Sequence, residues 1–239
     1  MDDQAIIDGG SGAPGLLDDQ SEQAVQPQFH LSKDIVLTAD CDGPRAEALR
    51  SLRTQLMERH LKRGRRAIAV CGPSERVGTS FMAANLAVAF ARAGAKTLLI
   101  DANLRRPAIH HFIVPDQPVS GLGQCLSLHG GSFADAVQDG VIANLSVIYS
   151  GGPAADALEK LSGPRFQPLM DMCIRDFDVC IVDTPPANRY ADALRITAVA
   201  GYGLIVLRRH VSFVQDVDTL TAQIGANRAR VIGAVLNEY

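Results

Sequence analysis

The chain has no run of about 18 consecutive apolar residues, the length that a membrane-spanning helix requires. It also lacks a basic leader before an apolar segment, because it opens on Met1, Asp2 and Asp3, so no secretory signal is expected. The five cysteines never form a C-x-x-C pair, and the six histidines show no metal-ligand spacing. These absences favour a cytoplasmic protein with reduced thiols over a secreted, membrane-spanning or histidine-based metal protein.

Basic residues are scarce at the beginning of the chain. Residues 1–44 carry nine acidic side chains and one basic one, Lys33, whereas the remainder has a net charge of +5. The stretch up to about Phe29 also has few large apolar residues, so burial cannot offset its loss of conformational entropy. The sequence therefore predicts an acidic, disordered tail over residues 1–41 and one folded domain over residues 42–239.

A basic run near residue 60 lacks the interleaved aromatic residues that are typical of nucleic-acid-binding surfaces. Its members are Arg59, Lys62, Arg63, Arg65 and Arg66. We interpret it as a solvated face and expect no nucleic acid as a partner. An anionic membrane surface or the acidic tail of the same chain is a weaker alternative.

Short, continuously apolar segments alternate with helical ones from Arg66 onward. The predicted strands cover residues 67–71, 97–100, 145–149, 179–182, 204–207 and 231–236, and predicted helices between them include residues 80–93, 164–175, 191–199 and 213–224. Apolar strands of this kind are typical of a parallel sheet that is buried on both faces. We therefore predict an α/β fold, a mostly parallel sheet with helices on both faces, whose ligand site lies at the carboxyl ends of the strands.

A glycine-containing loop with two hydroxyl residues joins the first of these strands to a helix. This loop, 72–80, has the context of a Walker A motif, in which backbone N–H groups cradle phosphates and Ser80 would bind Mg²⁺. It contains no lysine, however, because Thr79 stands in that position, and Pro73 replaces the first glycine. The loop alone does not establish a nucleotide site.

Two aspartates, Asp101 and Asp183, each follow four apolar strand residues. Burying a carboxylate there is costly unless it meets a cation or hydrogen-bond donors. One hypothesis is that both side chains hold Mg²⁺ or orient its waters beside the loop. The alternative is that each aspartate caps the turn that follows it.

In the order and spacing of its motifs, the chain resembles the bacterial tyrosine kinases (BY-kinases) of capsular and exopolysaccharide synthesis, within the MinD/ParA-like P-loop ATPases. The resemblance covers roughly residues 46–237. Its landmarks are an E-A-x-R helix at 47–54, the segment 84–87, a Walker A′-like segment at 98–107, a Walker B-like segment at 181–186, and segments 144–153 and 231–237.

The resemblance implies ATP and Mg²⁺ as cofactors and assigns a role to several residues of this chain. It implies catalytic roles for Asp101 and Asp183. The implied nucleotide-binding residues are Arg76, Gly78, Thr79, Ser80, Asn103 and Asn237, and the implied metal ligands are Ser80, Asp101 and Asp183.

The chain departs from the family pattern at its catalytic positions. Where the family has P-G-E-G-K-S, this chain reads Glu75 to Ser80, so Thr79 removes an ammonium group and Arg76 replaces a glycine. Asn103 replaces the second aspartate of the Walker A′ segment. The family's tyrosine-rich tail is also missing before Tyr239, the last residue. Together these departures predict weak or absent catalysis, with nucleotide binding retained as a possibility.

The helix that carries Glu47, Arg50 and Arg53 has two interpretations. Glu47 and Arg50 are three residues apart and share a helix face, so they could form a surface ion pair of little energetic value. The family resemblance implies instead that these three residues contact a neighbouring subunit, which predicts self-association through the E-A-x-R helix.

Three functions follow as hypotheses. The first is a catalytically weak subunit that regulates a membrane polysaccharide co-polymerase, also called a chain-length determinant, and lies at the inner face of the cytoplasmic membrane through that partner. The second is an active ATP-dependent protein-tyrosine autokinase. The third is a positioning ATPase of the MinD/ParA type, which the absence of a lysine from residues 72–78 disfavours.

Overall fold

The computed structural model describes residues 27–38, 42–63, 65–127 and 130–238. The strands are β1 (Phe29–Leu31), β2 (Ala67–Cys71), β3 (Thr97–Asp101), β4 (Ile113–Pro115), β5 (Val137–Ile142), β6 (Leu145–Ile148), β7 (Val179–Asp183), β8 (Tyr202–Arg208) and β9 (Arg230–Asn237). The α-helices are α1 (Pro44–Arg59), α2 (Thr79–Arg92), α3 (Leu122–Cys125), α4 (Ala157–Ser162), α5 (Phe166–Asp176), α6 (Asp192–Ala200) and α7 (Val214–Ala226).

A seven-stranded sheet forms the centre of the fold, in the order β5-β6-β3-β7-β2-β8-β9. All neighbouring strands are parallel except β5 and β6, which form an antiparallel pair at one edge. Every residue of β2, β3 and β7 is buried. Their continuously apolar sequences suit this position because helices cover both faces of the sheet.

Two apolar layers flank the sheet, and alternate strand residues contribute to each. On one face, Ile68 and Val70 of β2 pack with residues of α1 and α2. On the other, Ala67, Ala69 and Cys71 pack with residues of α4 to α7. The α/β architecture predicted from the sequence is confirmed.

The element bounds differ from the sequence prediction in a few places. The strands agree within two residues at each end, and the helix predicted over residues 164–175 is α5 (Phe166–Asp176), whereas α4 (Ala157–Ser162) was not predicted. The sequence analysis missed β1, β4 and β5. These are short or antiparallel edge strands, and periodicity is least informative for such elements.

The predicted domain boundary at residue 42 requires a correction. β1 pairs antiparallel with β4, and Ile35 and Leu37 are buried in the core. The side chain of Asn85 on α2 also accepts a hydrogen bond from the backbone N–H of Val36 at 2.7 Å. Residues 29–37 therefore belong to the folded domain. Their few apolar side chains were outweighed in composition by the surrounding acidic residues.

The rest of the predicted disordered tail, residues 1–26 and 39–41, lies outside the described residues, as does Tyr239. Within the described part of the chain, no helix is long and apolar enough to cross a membrane.

Candidate functional site

The candidate site is a cavity of about 320 Å³ at the carboxyl ends of β2, β3 and β7, which are neighbours in the sheet. The loop between β2 and α2 forms one wall, and the segments that follow β3 and β7 form the others. The lining residues are Ser74, Glu75, Arg76, Gly78, Thr79, Ser80, Phe81, Asn103, Arg105, Arg106, Ala108, His111, Phe112, Pro186 and Tyr190. The topology thus places the predicted loop and both predicted aspartates at one edge of the sheet.

Two left-handed residues shape the loop. Gly78 has φ +97°, and a Cβ added there would collide with the side-chain amide of Asn237. Asn237 in turn donates a hydrogen bond to the carbonyl of Val77 at 3.1 Å, so it supports the loop from the end of β9. Arg76 has φ +60°, a conformation that costs a non-glycine residue about 1 kcal/mol or more, and its carbonyl accepts a hydrogen bond from Arg208 at 3.1 Å.

Asp183 is fully buried, and only one of its two carboxylate oxygens has a hydrogen-bond partner among the described residues. Its Oδ2 accepts a hydrogen bond from the hydroxyl of Ser80 at 2.5 Å, while its Oδ1 has no partner among the described residues. Burial raises the pKa of Asp183 well above its usual range, and the nearby Asp101 charge raises it further. A buried, unpaired carboxylate oxygen beside a hydroxyl is a polar position that a cation would satisfy.

Asp101 has a different environment, although the β3–β7 register places it directly beside Asp183. Its Oδ1 accepts a hydrogen bond from the N–H of Asn103 at 3.2 Å, and its Oδ2 accepts from the N–H groups of Ala108 and Ile109, each at 3.1 Å. Burial raises the pKa of Asp101 to about 6, against the opposing effect of these N–H groups. Asp101 therefore caps the turn after β3.

The two substituted positions, Thr79 and Asn103, both line the cavity. Thr79 is the first residue of α2, and none of the described lining residues is a lysine. Asn103 is buried, and its Oδ1 accepts a hydrogen bond from the backbone N–H of Arg106 at 3.0 Å. Asn103 thus stabilises the turn but contributes no charge to the cavity.

Sequence analysis missed an ion pair at the cavity that involves a buried carboxylate. The guanidinium of Arg105 donates to the carboxylate of Asp192 at 2.9 and 3.3 Å, and it lies 5.0 Å from the ring centroid of Tyr190. Asp192 is only 1% exposed. No local pattern marks Asp192, because an acidic residue in the first turn of a helix is common.

A second missed contact joins three segments at the mouth of the cavity. Glu75 Oε1 accepts hydrogen bonds from Arg189 Nη1 at 2.7 Å and from Arg106 Nη1 at 3.3 Å. The sequence offers no signal for it because the partners lie 31 and 114 residues from Glu75.

The described residues contain no group of three or more histidine, cysteine, aspartate or glutamate side chains that could hold a metal ion. Of the three predicted metal ligands, Ser80 and Asp183 form a direct pair, and Asp101 is occupied by backbone N–H groups. Of these three predicted ligands, Ser80 and Asp183 are therefore the two that form a direct oxygen pair suited to a hard cation.

The predicted interface residues lie on α1, on the surface of the domain. Arg50 contacts Glu47 and Asp42, each at 3.6 Å, and Arg53 donates a hydrogen bond to the hydroxyl of Thr54 at 3.0 Å. The Glu47 side chain is 73% exposed. These contacts are those of a surface ion pair, and they leave Glu47 accessible to a neighbouring molecule.

Comparisons with known proteins identify the relatives of this chain. No protein-family model matches the chain. EpsB of Ralstonia solanacearum is 35% identical over 198 residues, which cover 82% of this chain and 26% of EpsB. Tyrosine-protein kinase YwqD of Bacillus subtilis is 28% identical over 207 residues, which cover 87% of this chain and 86% of YwqD. The chain thus spans about a quarter of EpsB but most of YwqD.

Solved structures of similar fold include proteins of the same kind. The chimeric protein CapA2B2 superimposes with a TM-score of 0.78 at 26% identity, covering 89% of this chain and 93% of the chimera. The kinase domain of Escherichia coli tyrosine kinase ETK gives 0.72 at 26% identity, covering 81% and 75%. The chain belongs to the BY-kinase family.

A wider similarity concerns the fold alone. MinD from Pyrococcus horikoshii superimposes with a TM-score of 0.62 at 18% identity, covering 73% of this chain and 70% of MinD. This BY-kinase family member therefore has the P-loop ATPase fold, as the sequence resemblance implied.

Proposed function

We propose that this chain is a BY-kinase-like subunit of a capsule or exopolysaccharide system that binds Mg·ATP, has weak or absent catalysis, and regulates a membrane polysaccharide co-polymerase. The observation that carries this proposal is the cavity itself. Ser80 in its lining is hydrogen-bonded to the buried Asp183 behind it, as expected for a P-loop site, but Thr79 stands where the family has lysine.

The residues present fit a hard cation. The unpaired Oδ1 of Asp183 and the hydroxyl of Ser80 are oxygen donors of the kind that Mg²⁺ prefers. When bound, Mg²⁺ would neutralise phosphate charge at this position. The backbone N–H groups at the start of α2 would bind phosphate oxygens, and Gly78 supplies the left-handed conformation that begins the helix there.

Weak catalysis follows from the charges that remain around the cavity. Thr79 provides a hydroxyl instead of an ammonium group, so it cannot stabilise charge that develops on a transferred phosphoryl group. Arg105 does not replace it, since its guanidinium is held by buried Asp192. Loss of such a contact lowers rate more than affinity, which is why nucleotide binding is retained in this proposal.

An active autokinase is the second candidate, because the family relatives YwqD and ETK are named tyrosine kinases. One experiment distinguishes the two candidate functions. Purified protein is titrated with a fluorescent ATP analogue, with and without Mg²⁺, and is then assayed for autophosphorylation. We expect Mg²⁺-dependent binding with phosphorylation near background. Ordinary kinase rates would support the autokinase, and absence of binding would remove nucleotide from the proposal.

Self-association through α1 is the second part of the proposal. We expect Arg50→Glu to lower the oligomer mass measured by light scattering, because it places a third acidic side chain beside Glu47 and Asp42. Arg175→Glu is the matched control, since Arg175 is exposed on α5, in the helix layer on the other face of the sheet. An oligomer whose mass is unchanged by Arg50→Glu would restore the surface-pair interpretation.

A further inference from the structure

Three segments of the candidate site meet at one carboxylate. Glu75 lies in the loop after β2, Arg106 follows β3, and Arg189 follows β7. Both arginines donate to the same oxygen, Oε1 of Glu75, at 2.7 and 3.3 Å. Glu75 and Arg106 also line the cavity. The result is a carboxylate between two guanidinium groups at the place where the loop would hold phosphate.

We propose that Arg106 and Arg189 form a polyphosphate-binding pair at the mouth of the cavity, and that Glu75 occupies this pair until the ligand displaces it. This inference rests on the proposed function, because it concerns the same cavity. Glu75 acts as an internal competitor, with its carboxylate in the position of a phosphate anion.

Displacement of Glu75 is feasible because the contact is exposed. The side chains of Arg106, Arg189 and Glu75 are 71%, 55% and 30% exposed. Ion pairs of this kind contribute little to stability, so breaking them costs little. A phosphate group carries more charge than a carboxylate and matches the planar fork of a guanidinium, so it is the stronger ligand for both arginines.

The other arginine next to Arg106 is not available in this way. Arg105 is bound by Asp192, and it also donates to the carbonyl of Ala155 at 3.2 Å. Its role is to hold the segments after β3 and β7 together. Arg106 and Arg189 have Glu75 as a common partner, so one displacement changes the environment of both.

The test uses two probes, Mg·ATP and inorganic tripolyphosphate, measured by isothermal titration calorimetry. Glu75→Gln should tighten binding of both probes by roughly three- to tenfold, because it removes the competing charge. Glu58→Gln is the matched control, since Glu58 at the end of α1 forms an exposed pair with Lys62 at 2.5 Å. It makes the same change in net charge and should leave both dissociation constants unchanged.

The arginines provide the decisive comparison. The double variant Arg106→Gln/Arg189→Gln should weaken tripolyphosphate binding by about tenfold. Adding Glu75→Gln to it should give no gain, because Glu75 acts only through these two residues. A gain that persists without the arginines, or an unchanged affinity in Glu75→Gln alone, would overturn the inference.

The two probes separate this inference from the proposed function. If tripolyphosphate binds and responds to Glu75→Gln while Mg·ATP does not bind, the inference stands and the nucleotide part of the proposed function fails. If Mg·ATP binds but neither probe responds to the three residues, the proposed function stands and the inference fails. If tripolyphosphate binds to none of the variants, the arginine pair is not a polyphosphate site.

Discussion

Replacing Thr79 with lysine should raise autophosphorylation from near background by a factor of roughly 10²–10³, the range associated with one charge contact in a transition state. Thr79 is the first residue of α2 and lines the cavity beside Ser80. A lysine at this position would bring an ammonium group to the phosphates. The measurement is incorporation of labelled phosphate at saturating Mg·ATP.

Two further substitutions should increase the gain. Arg76→Gly would relieve the left-handed conformation at φ +60°, and Asn103→Asp would restore a carboxylate while its oxygen still accepts the N–H of Arg106. All three positions line one cavity, so their effects should be coupled and not additive.

Thr219→Lys is a suitable control because Thr219 is exposed on α7, where its hydroxyl bonds to the carbonyl of Gln215. It adds the same charge without entering the cavity and should leave phosphorylation at background. A wild-type protein that already phosphorylates itself at ordinary rates would contradict weak catalysis. A triple variant that folds and binds nucleotide but stays inert would show that Thr79 is not the main defect.

The central strands and the aspartates at their ends could be predicted from the sequence because the pattern that marks them is local. An aspartate after four apolar residues marks the end of a buried parallel strand, and parallel strands end at the same edge of a sheet. This argument predicted that Asp101 and Asp183 lie at adjacent strand ends, and their register is that of direct neighbours.

The hydrogen-bond partners and ion pairs of the site could not be predicted from the sequence, because they depend on tertiary contacts. Asp101 and Asp183 follow similar strands, yet only the structure shows that backbone N–H groups occupy one and not the other. The Glu75 contacts and the Arg105–Asp192 pair join segments that are far apart in sequence. No periodicity or spacing encodes such pairs.

The raised pKa values of these two aspartates predict that the stability of the protein depends on pH. The pKa of Asp101 is raised to about 6, and that of Asp183 is raised well above its usual range. Between about pH 4 and pH 6 the folded state therefore binds more protons than the unfolded state, and the free energy of unfolding falls as pH rises. Below about pH 4 both states are protonated, and this stabilisation is complete.

Asp183→Asn should reduce this slope and raise the free energy of unfolding at pH 7, since it removes a buried group whose ionisation the fold disfavours. Its amide would replace a buried charge whose contacts are the Ser80 hydroxyl, which can rotate, and an unpaired oxygen. Urea denaturation at pH 5 and pH 7 would measure both changes.

Asp101→Asn is the matched comparison, and at pH 7 it should raise the free energy of unfolding less than Asp183→Asn does. The Asp101 carboxylate accepts three backbone N–H groups, so a side-chain NH₂ would leave at least one of them without an acceptor. An unsatisfied buried donor costs about 1–3 kcal/mol. If both variants changed the free energy of unfolding equally, Asp183 would not be a buried carboxylate with an unpaired oxygen. If Asp183→Asn also removes any stabilisation by Mg·ATP while leaving the protein more stable alone, the same oxygen is the one that binds the cation.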